Sequence, residues 1–111
     1  MLVLPLQGTR LVLDAAVADV VVSTLPPDAD PCGLVVPDGA TAPVVMDVVY
    51  RPWPSRFAAA VDAASGRRVP VVRGTDMLLH QAVRQVELFT GHNGPVHAMR
   101  AALETEGAET A

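Results

Sequence analysis

The sequence predicts an α/β fold: a parallel sheet of three to four strands with flanking helices. Three observations carry that expectation. The apolar runs at residues 19–24 and 43–50 are short, near-unbroken and rich in valine, the pattern of strands covered on both faces. They alternate with stretches of helical character at residues 55–64 and 75–90, as crossover connections between parallel strands require. Each run is bounded by punctuating residues, Pro26-Pro27, Pro52 and Pro54, Gly66, and Gly91, so the elements are separate rather than one long helix.

Composition narrows the class. With 111 residues the chain forms one small domain at most, and half of it is hydrophobic, which excludes a disordered polypeptide. Aromatics make up only 4%, so the core is aliphatic. No apolar run reaches the roughly 20 residues that span a bilayer, and residues 1–6 lack the basic start and long apolar region of a signal peptide. No membrane partner and a cytoplasmic location are therefore expected. Cys32 is the single cysteine and reads as a loop thiol without a disulfide or metal partner in the chain. The formal net charge is −4 and the only basic pair is Arg67-Arg68, which argues against nucleic acid as a partner. Those arginines follow Ser65-Gly66, where the C-terminal end of a helix favours positive charge.

In chain order, residues 1–6 read as a buried strand and Gln7-Gly8-Thr9 as a turn. Residues 10–17 are open between strand and helix, with helix favoured because Asp14-Ala15-Ala16 is poor strand material. A strand at 19–24 stops at Pro26, and residues 26–43 form a long loop with room for one turn of helix. A second strand follows at 43–50, then a helix at 55–64 with Ser55 as N-cap and Gly66 past its end, and a third strand at 68–73. Residues 75–90 form the next helix, with Thr75 or Asp76 as N-cap and Gly91 closing it. A short helix from Pro95 through Leu103 precedes a frayed tail.

The helix at 75–90 has two faces worth separating. At about 100° per residue, Leu78, Leu79, Ala82, Val83, Val86 and Phe89 form a broad apolar face expected against a core. Opposite lie Met77, Gln81 and Leu88, two large apolar residues around an amide, a strip expected to meet a ligand or another domain. In parallel sheets ligands bind outside the carboxyl ends of the strands. Residues 24–26, 47–52 and 74–76 are the segments expected there.

Taken together, Ala18-Asp19-Val20-Val21-Val22-Ser23-Thr24-Leu25-Pro26, Asp47-Val48-Val49-Tyr50-Arg51-Pro52, Gly74-Thr75-Asp76-Met77-Leu78-Leu79-His80-Gln81-Ala82 and Glu87-Leu88-Phe89-Thr90-Gly91 resemble the C-terminal cofactor-binding portion of shikimate dehydrogenases, in order and spacing, from about residue 18 to residue 103. The resemblance implies a partial Rossmann-like sheet, with residues 18–104 as the second half of an NADP-binding domain, 1–17 as a poorly matched lead segment and 105–111 as the tail. It implies an oxidoreductase that reduces 3-dehydroshikimate with NADPH, in the biosynthesis of chorismate and the aromatic amino acids. It assigns Tyr50 and Gln81 to a shikimate-like substrate, and Ser23, Thr24, Val48, Gly74 and Met77 to the cofactor.

Other parts of the family pattern have no counterpart. The catalytic Lys and Asp of the family belong to an N-terminal substrate domain, so no catalytic residue is assigned here. The Gly-rich phosphate loop and the segment that reads the 2′-phosphate are also without a match. Thr75 stands beside Gly74 where the family has Leu. The expectation is a truncated piece of a longer enzyme, inactive alone, whose partner is that N-terminal domain or a second copy of the chain. The alternative is a non-catalytic remnant or stand-alone α/β module with an oligomerising or protein-binding role. His80, His92 and His97 lack ligand spacing and read as surface residues, and Asp47, inside an apolar strand, reads as structural and bonded to nearby backbone N–H groups.

Overall fold

A computed structural model describes residues 4–5, 8, 10–31 and 33–110, with residues 106–110 described by backbone alone. Cys32 and most of the strand expected at residues 1–6 lie outside the described residues; Leu4 and Pro5 are exposed and belong to no strand. The fold is α/β, as expected. Two compact units divide at Arg73 and Gly74, and each is described on its own.

The first unit contains β1 (Leu11–Val12), β2 (Val20–Ser23), β3 (Leu34–Val35), β4 (Val44–Asp47), α1 (Arg56–Ser65) and β5 (Val71–Arg73). Strands β2, β4 and β5 form a parallel sheet in that order, with Val20 opposite Val44, Ser23 opposite Asp47 and Asp47 opposite Arg73. The β2–β4 ladder extends at both ends, Val44 N–H donating to the Asp19 carbonyl at 3.0 Å and Val48 N–H to the Ser23 carbonyl at 3.1 Å.

Residues 10–17 are not helical. Leu11 and Val12 form β1, paired in parallel with Leu34 and Val35. The Asp14 carboxylate accepts the Ala16 N–H at 2.9 Å and the Asp14 carbonyl accepts the Val17 N–H at 2.9 Å, a side-chain-stabilised turn that competes with helix. The long loop accordingly holds a strand, β3, and a turn in which Ala29 N–H donates to the Pro26 carbonyl.

Burial on the three-stranded sheet is one-sided. Val45, Phe57, Val61, Val69 and Leu13 form the core, with Val21 and Val71 packed against it on the face that Val45 shares by register. The opposite face carries Val20, Val22, Val44 and Val72, which are 57%, 51%, 58% and 39% exposed. Within this unit the expected double coverage is not met, and the valine run is also what the preference of β-branched side chains for extended backbone produces. The termini of α1 fall where expected. Ser55 Oγ accepts the Ala58 N–H at 3.0 Å, Gly66 is left-handed with φ 61°, and Arg68 Nε donates to the Ser65 carbonyl at 2.8 Å.

The second unit contains α2 (Gly74–Thr90) and α3 (Val96–Thr110). Helix α2 starts at Gly74, directly after β5, rather than beyond Thr75 or Asp76; Asp76 lies in the first turn, where the helix dipole favours a carboxylate. Leu79 and Val83 are buried and Leu78, Ala82 and Val86 partly so, but Phe89 is 86% exposed. Phe89 shares the apolar stripe but lies in the last turn of α2, one residue before its end at Thr90. Gly91, with φ 70°, ends α2. The return to α3 is close: a Cβ on Gly94 would lie 2.6 Å from Val83 Cγ1 and 2.9 Å from the Val83 carbonyl oxygen. Glu87 Oε2 accepts the Gly94 N–H at 3.2 Å, and Arg100 Nη1 lies 3.5 Å from Asp76 Oδ1. The expected frayed tail is helical to Thr110.

Candidate functional site

The carboxyl end of β4 is organised by Asp47. Its side chain is 1% exposed, and Oδ1 accepts the Val49 N–H at 3.1 Å while Oδ2 accepts the Ser55 hydroxyl. The same Ser55 oxygen caps α1 through Ala58 N–H. One buried carboxylate therefore holds the start of the 48–55 segment, its end, and the first turn of the next helix, which satisfies the demand of a buried charge for donors. The segment includes cis Arg51–Pro52 and Trp53–Pro54 bonds.

Tyr50 projects from this segment and is 43% exposed. Its carbonyl accepts Arg73 Nη2 at 3.3 Å, and the Arg73 guanidinium lies over the Trp53 ring, 4.8 Å from its centroid. Val48, before it, is half-buried and hydrogen-bonded through its amide to the Ser23 carbonyl. Ser23 is 5% exposed and its hydroxyl oxygen accepts the Leu25 N–H at 3.4 Å; Thr24 is exposed.

Ser23, Thr24, Val48 and Tyr50 are thus brought together at the carboxyl ends of the adjacent strands β2 and β4. Gly74, Met77 and Gln81 form a second group on the opening turns of α2, buried, half-buried and exposed respectively. Leu88, of the same strip, is 67% exposed. His80, His92 and His97 are exposed. An open pocket of about 270 Å³ is lined by Trp53, Pro54, Ala58, Asp62, Val69, Pro70 and Val71, none of them an expected site residue. No described helix is long and apolar enough to cross a membrane.

Sequence reasoning missed the partnership of Arg73 with Trp53 and Tyr50. Its only trace was a cation ending a valine strand, next to the glycine that opens α2. A bond from Asp47 to a nearby backbone N–H was expected and is made to Val49, whereas the reach of Asp47 to Ser55 was not expected.

Residues 74–104 match the family described as Shikimate 5'-dehydrogenase C-terminal domain. The shikimate dehydrogenase (NADP(+)) of Rubrobacter xylanophilus is 46% identical over 63 residues, which is 57% of this chain and 22% of that protein. That of Chlorobium phaeobacteroides is 38% identical over 60 residues, 54% of this chain and 19% of the relative. Among solved structures, the shikimate dehydrogenase of Mycobacterium tuberculosis superposes with a TM-score of 0.59 at 42% identity, covering 81% of this chain and 32% of that one. The shikimate 5-dehydrogenase of Mycobacterium fortuitum gives 0.58 at 41%, covering 78% and 31%. The chain spans about a fifth of the length of the curated relatives it matches. In sequence and in fold it is similar to part of shikimate dehydrogenases, with residues 74–104 matching their C-terminal domain.

Proposed function

We propose that this chain contributes the nicotinamide-facing and substrate-facing part of a shikimate dehydrogenase-like oxidoreductase, which reduces 3-dehydroshikimate to shikimate with NADPH, and that turnover requires a substrate domain supplying the acid–base residues. The observation that carries the reading is the fixed placement of Tyr50 at the carboxyl end of β4, with Asp47 holding Val49 before it and Arg73 holding its carbonyl. The Tyr50 hydroxyl and the Gln81 amide are the groups assigned to the hydroxyls of the substrate.

The residues present fit one end of the cofactor. Val48, half-buried at the strand end, offers an apolar contact for a nicotinamide ring, with Thr24 following the neighbouring strand β2. Gly74 and Met77, on α2, complete the assignment. The loop after β2 does not fit a diphosphate. Leu25 N–H is already bonded to Ser23 Oγ, and Pro26 and Pro27 have no N–H, so three consecutive positions of the loop offer a phosphate no free backbone donor. Bound NADPH would supply the hydride, and Tyr50 and Gln81 are each assigned to substrate binding.

Titration with NADPH followed by nicotinamide fluorescence tests the cofactor assignment, and no binding at about millimolar cofactor, a free energy near −4 kcal/mol, would sink it for the isolated chain. Activity is expected only with the substrate domain added in trans. Robust turnover by the chain alone would overturn the division of labour.

A further inference from the structure

Arg73 has an unusual disposition. It stands opposite Asp47 in the β4–β5 ladder, yet the ion pairs among the described residues do not join them. The Asp47 carboxylate is occupied by Val49 N–H and the Ser55 hydroxyl. The Arg73 side chain instead lies over the Trp53 ring and donates Nη2 to the Tyr50 carbonyl, while its Nε is buried without a hydrogen-bond partner. A guanidinium that leaves a buried donor unpaired incurs a penalty, here offset by a cation–π contact and a charge-assisted bond. Both contacts fall on the one segment that carries Tyr50.

We infer that Arg73 is a positioning residue, a clamp that fixes the 50–53 segment and thereby sets the presentation of Tyr50 to substrate; the second half of this statement rests on the function proposed above. The clamp works from two sides. The ring contact fixes Trp53, three residues beyond Tyr50, and the hydrogen bond fixes the peptide plane after Tyr50. The Tyr50 side chain, 43% exposed, then needs only to settle its own rotamers rather than an entire loop.

The chain contains one tryptophan and one tyrosine, so both spectroscopic handles report on this segment. Comparison of the full chain with Arg73→Met and Arg73→Lys by Trp53 emission and acrylamide quenching tests the clamp. Arg73→Met is expected to red-shift the emission and raise quenching severalfold while unfolding stays cooperative, with Arg73→Lys restoring part of the shielding because a cation on the ring is retained. Unchanged emission and quenching in Arg73→Met would overturn the clamp. A second readout serves if Arg73→Met does not fold. In the wild-type chain labelled with ¹⁵N, the Arg73 Nε–H signal is expected to be ring-current shifted and slow to exchange. An ordinary shift and fast exchange would equally overturn the clamp. With the substrate domain in trans, Arg73→Met is expected to raise KM for 3-dehydroshikimate roughly three- to tenfold with kcat little changed, the loss of about one hydrogen bond's worth of preorganisation. Tyr50→Phe separates the two ideas. If it raises KM and Arg73→Met does not, the positioning role is wrong; if Tyr50→Phe has no effect, the site reading is wrong, and Trp53 alone judges the clamp.

Discussion

Ser55 donates its hydroxyl to the carboxylate of Asp47, and the oxygen of that hydroxyl accepts the N–H of Ala58. The pair ties the end of β4 to the start of α1 through two buried residues, Asp47 being 1% and Ser55 2% exposed. Ser55→Ala therefore loses a helix cap and leaves one oxygen of a buried carboxylate without a donor. A loss of about 2–4 kcal/mol is expected, more than a cap alone. Urea unfolding of Ser55→Ala, Asp47→Asn and the double variant measures it. A coupling energy near zero between the two positions would show that the link contributes nothing to stability.

The one-sided sheet makes a contrast between two valines in the same ladder. Val22 is 51% exposed and Val45 is 1% exposed. Replacement by threonine keeps the shape and adds a hydroxyl, so only its burial matters. Val22→Thr is expected to move stability by no more than about 0.5 kcal/mol, whereas Val45→Thr buries an unpaired hydroxyl and costs about 1–3 kcal/mol. Equal effects, read from urea midpoints, would mean that both faces are covered in solution.

What the sequence made legible follows from the range of the interactions involved. The caps of α1 at Ser55 and Gly66, the end of α2 at Gly91 and the strands at 20–23 and 44–47 are local, each set by residues within a turn or by a run of valines. The pairing of β1 with β3 was not legible, because two-residue strands gain their hydrogen bonds only from a partner distant in the chain. The covering of the sheet escapes the sequence for a related reason: a valine run states a preference for extended backbone, and the run itself is silent on what lies over each face. Tyr50 and Gln81 stand out through the motif, but Arg73 takes its meaning from Trp53 and Tyr50, contacts that no spacing rule encodes.

Gly94 and Gly91 separate two reasons for glycine in one connection. At Gly91 the demand is conformational, a φ of 70° with open space where a Cβ would stand, and Gly91→Ala is expected to cost about 1–2 kcal/mol. At Gly94 the demand is proximity, since the added carbon would lie 2.6 Å from Val83 Cγ1 and 2.9 Å from the Val83 carbonyl oxygen. Gly94→Ala is expected to cost about 1–3 kcal/mol. Trimming Val83 to alanine removes the side-chain clash but not the backbone one, so the double variant should recover only part of the loss. Full tolerance of Gly94→Ala in thermal melts would contradict the close approach of this turn to α2.

Gln81 offers the cleanest functional test, because it is exposed on α2 and no hydrogen bond within the fold uses its amide among the described residues. Gln81→Ala should leave the melting transition in place, alanine being the better helix former. With the substrate domain supplied in trans, the same variant should raise KM for 3-dehydroshikimate by up to about tenfold, the scale of one neutral hydrogen bond lost to substrate. The neighbouring Leu88, 67% exposed on the same strip, supplies the control. Leu88→Ser removes apolar surface without removing an amide, so it should weaken association with the added domain rather than affinity for substrate at saturating domain. A Gln81→Ala chain that binds substrate normally but unfolds early would instead assign Gln81 to the fold and take it out of the site.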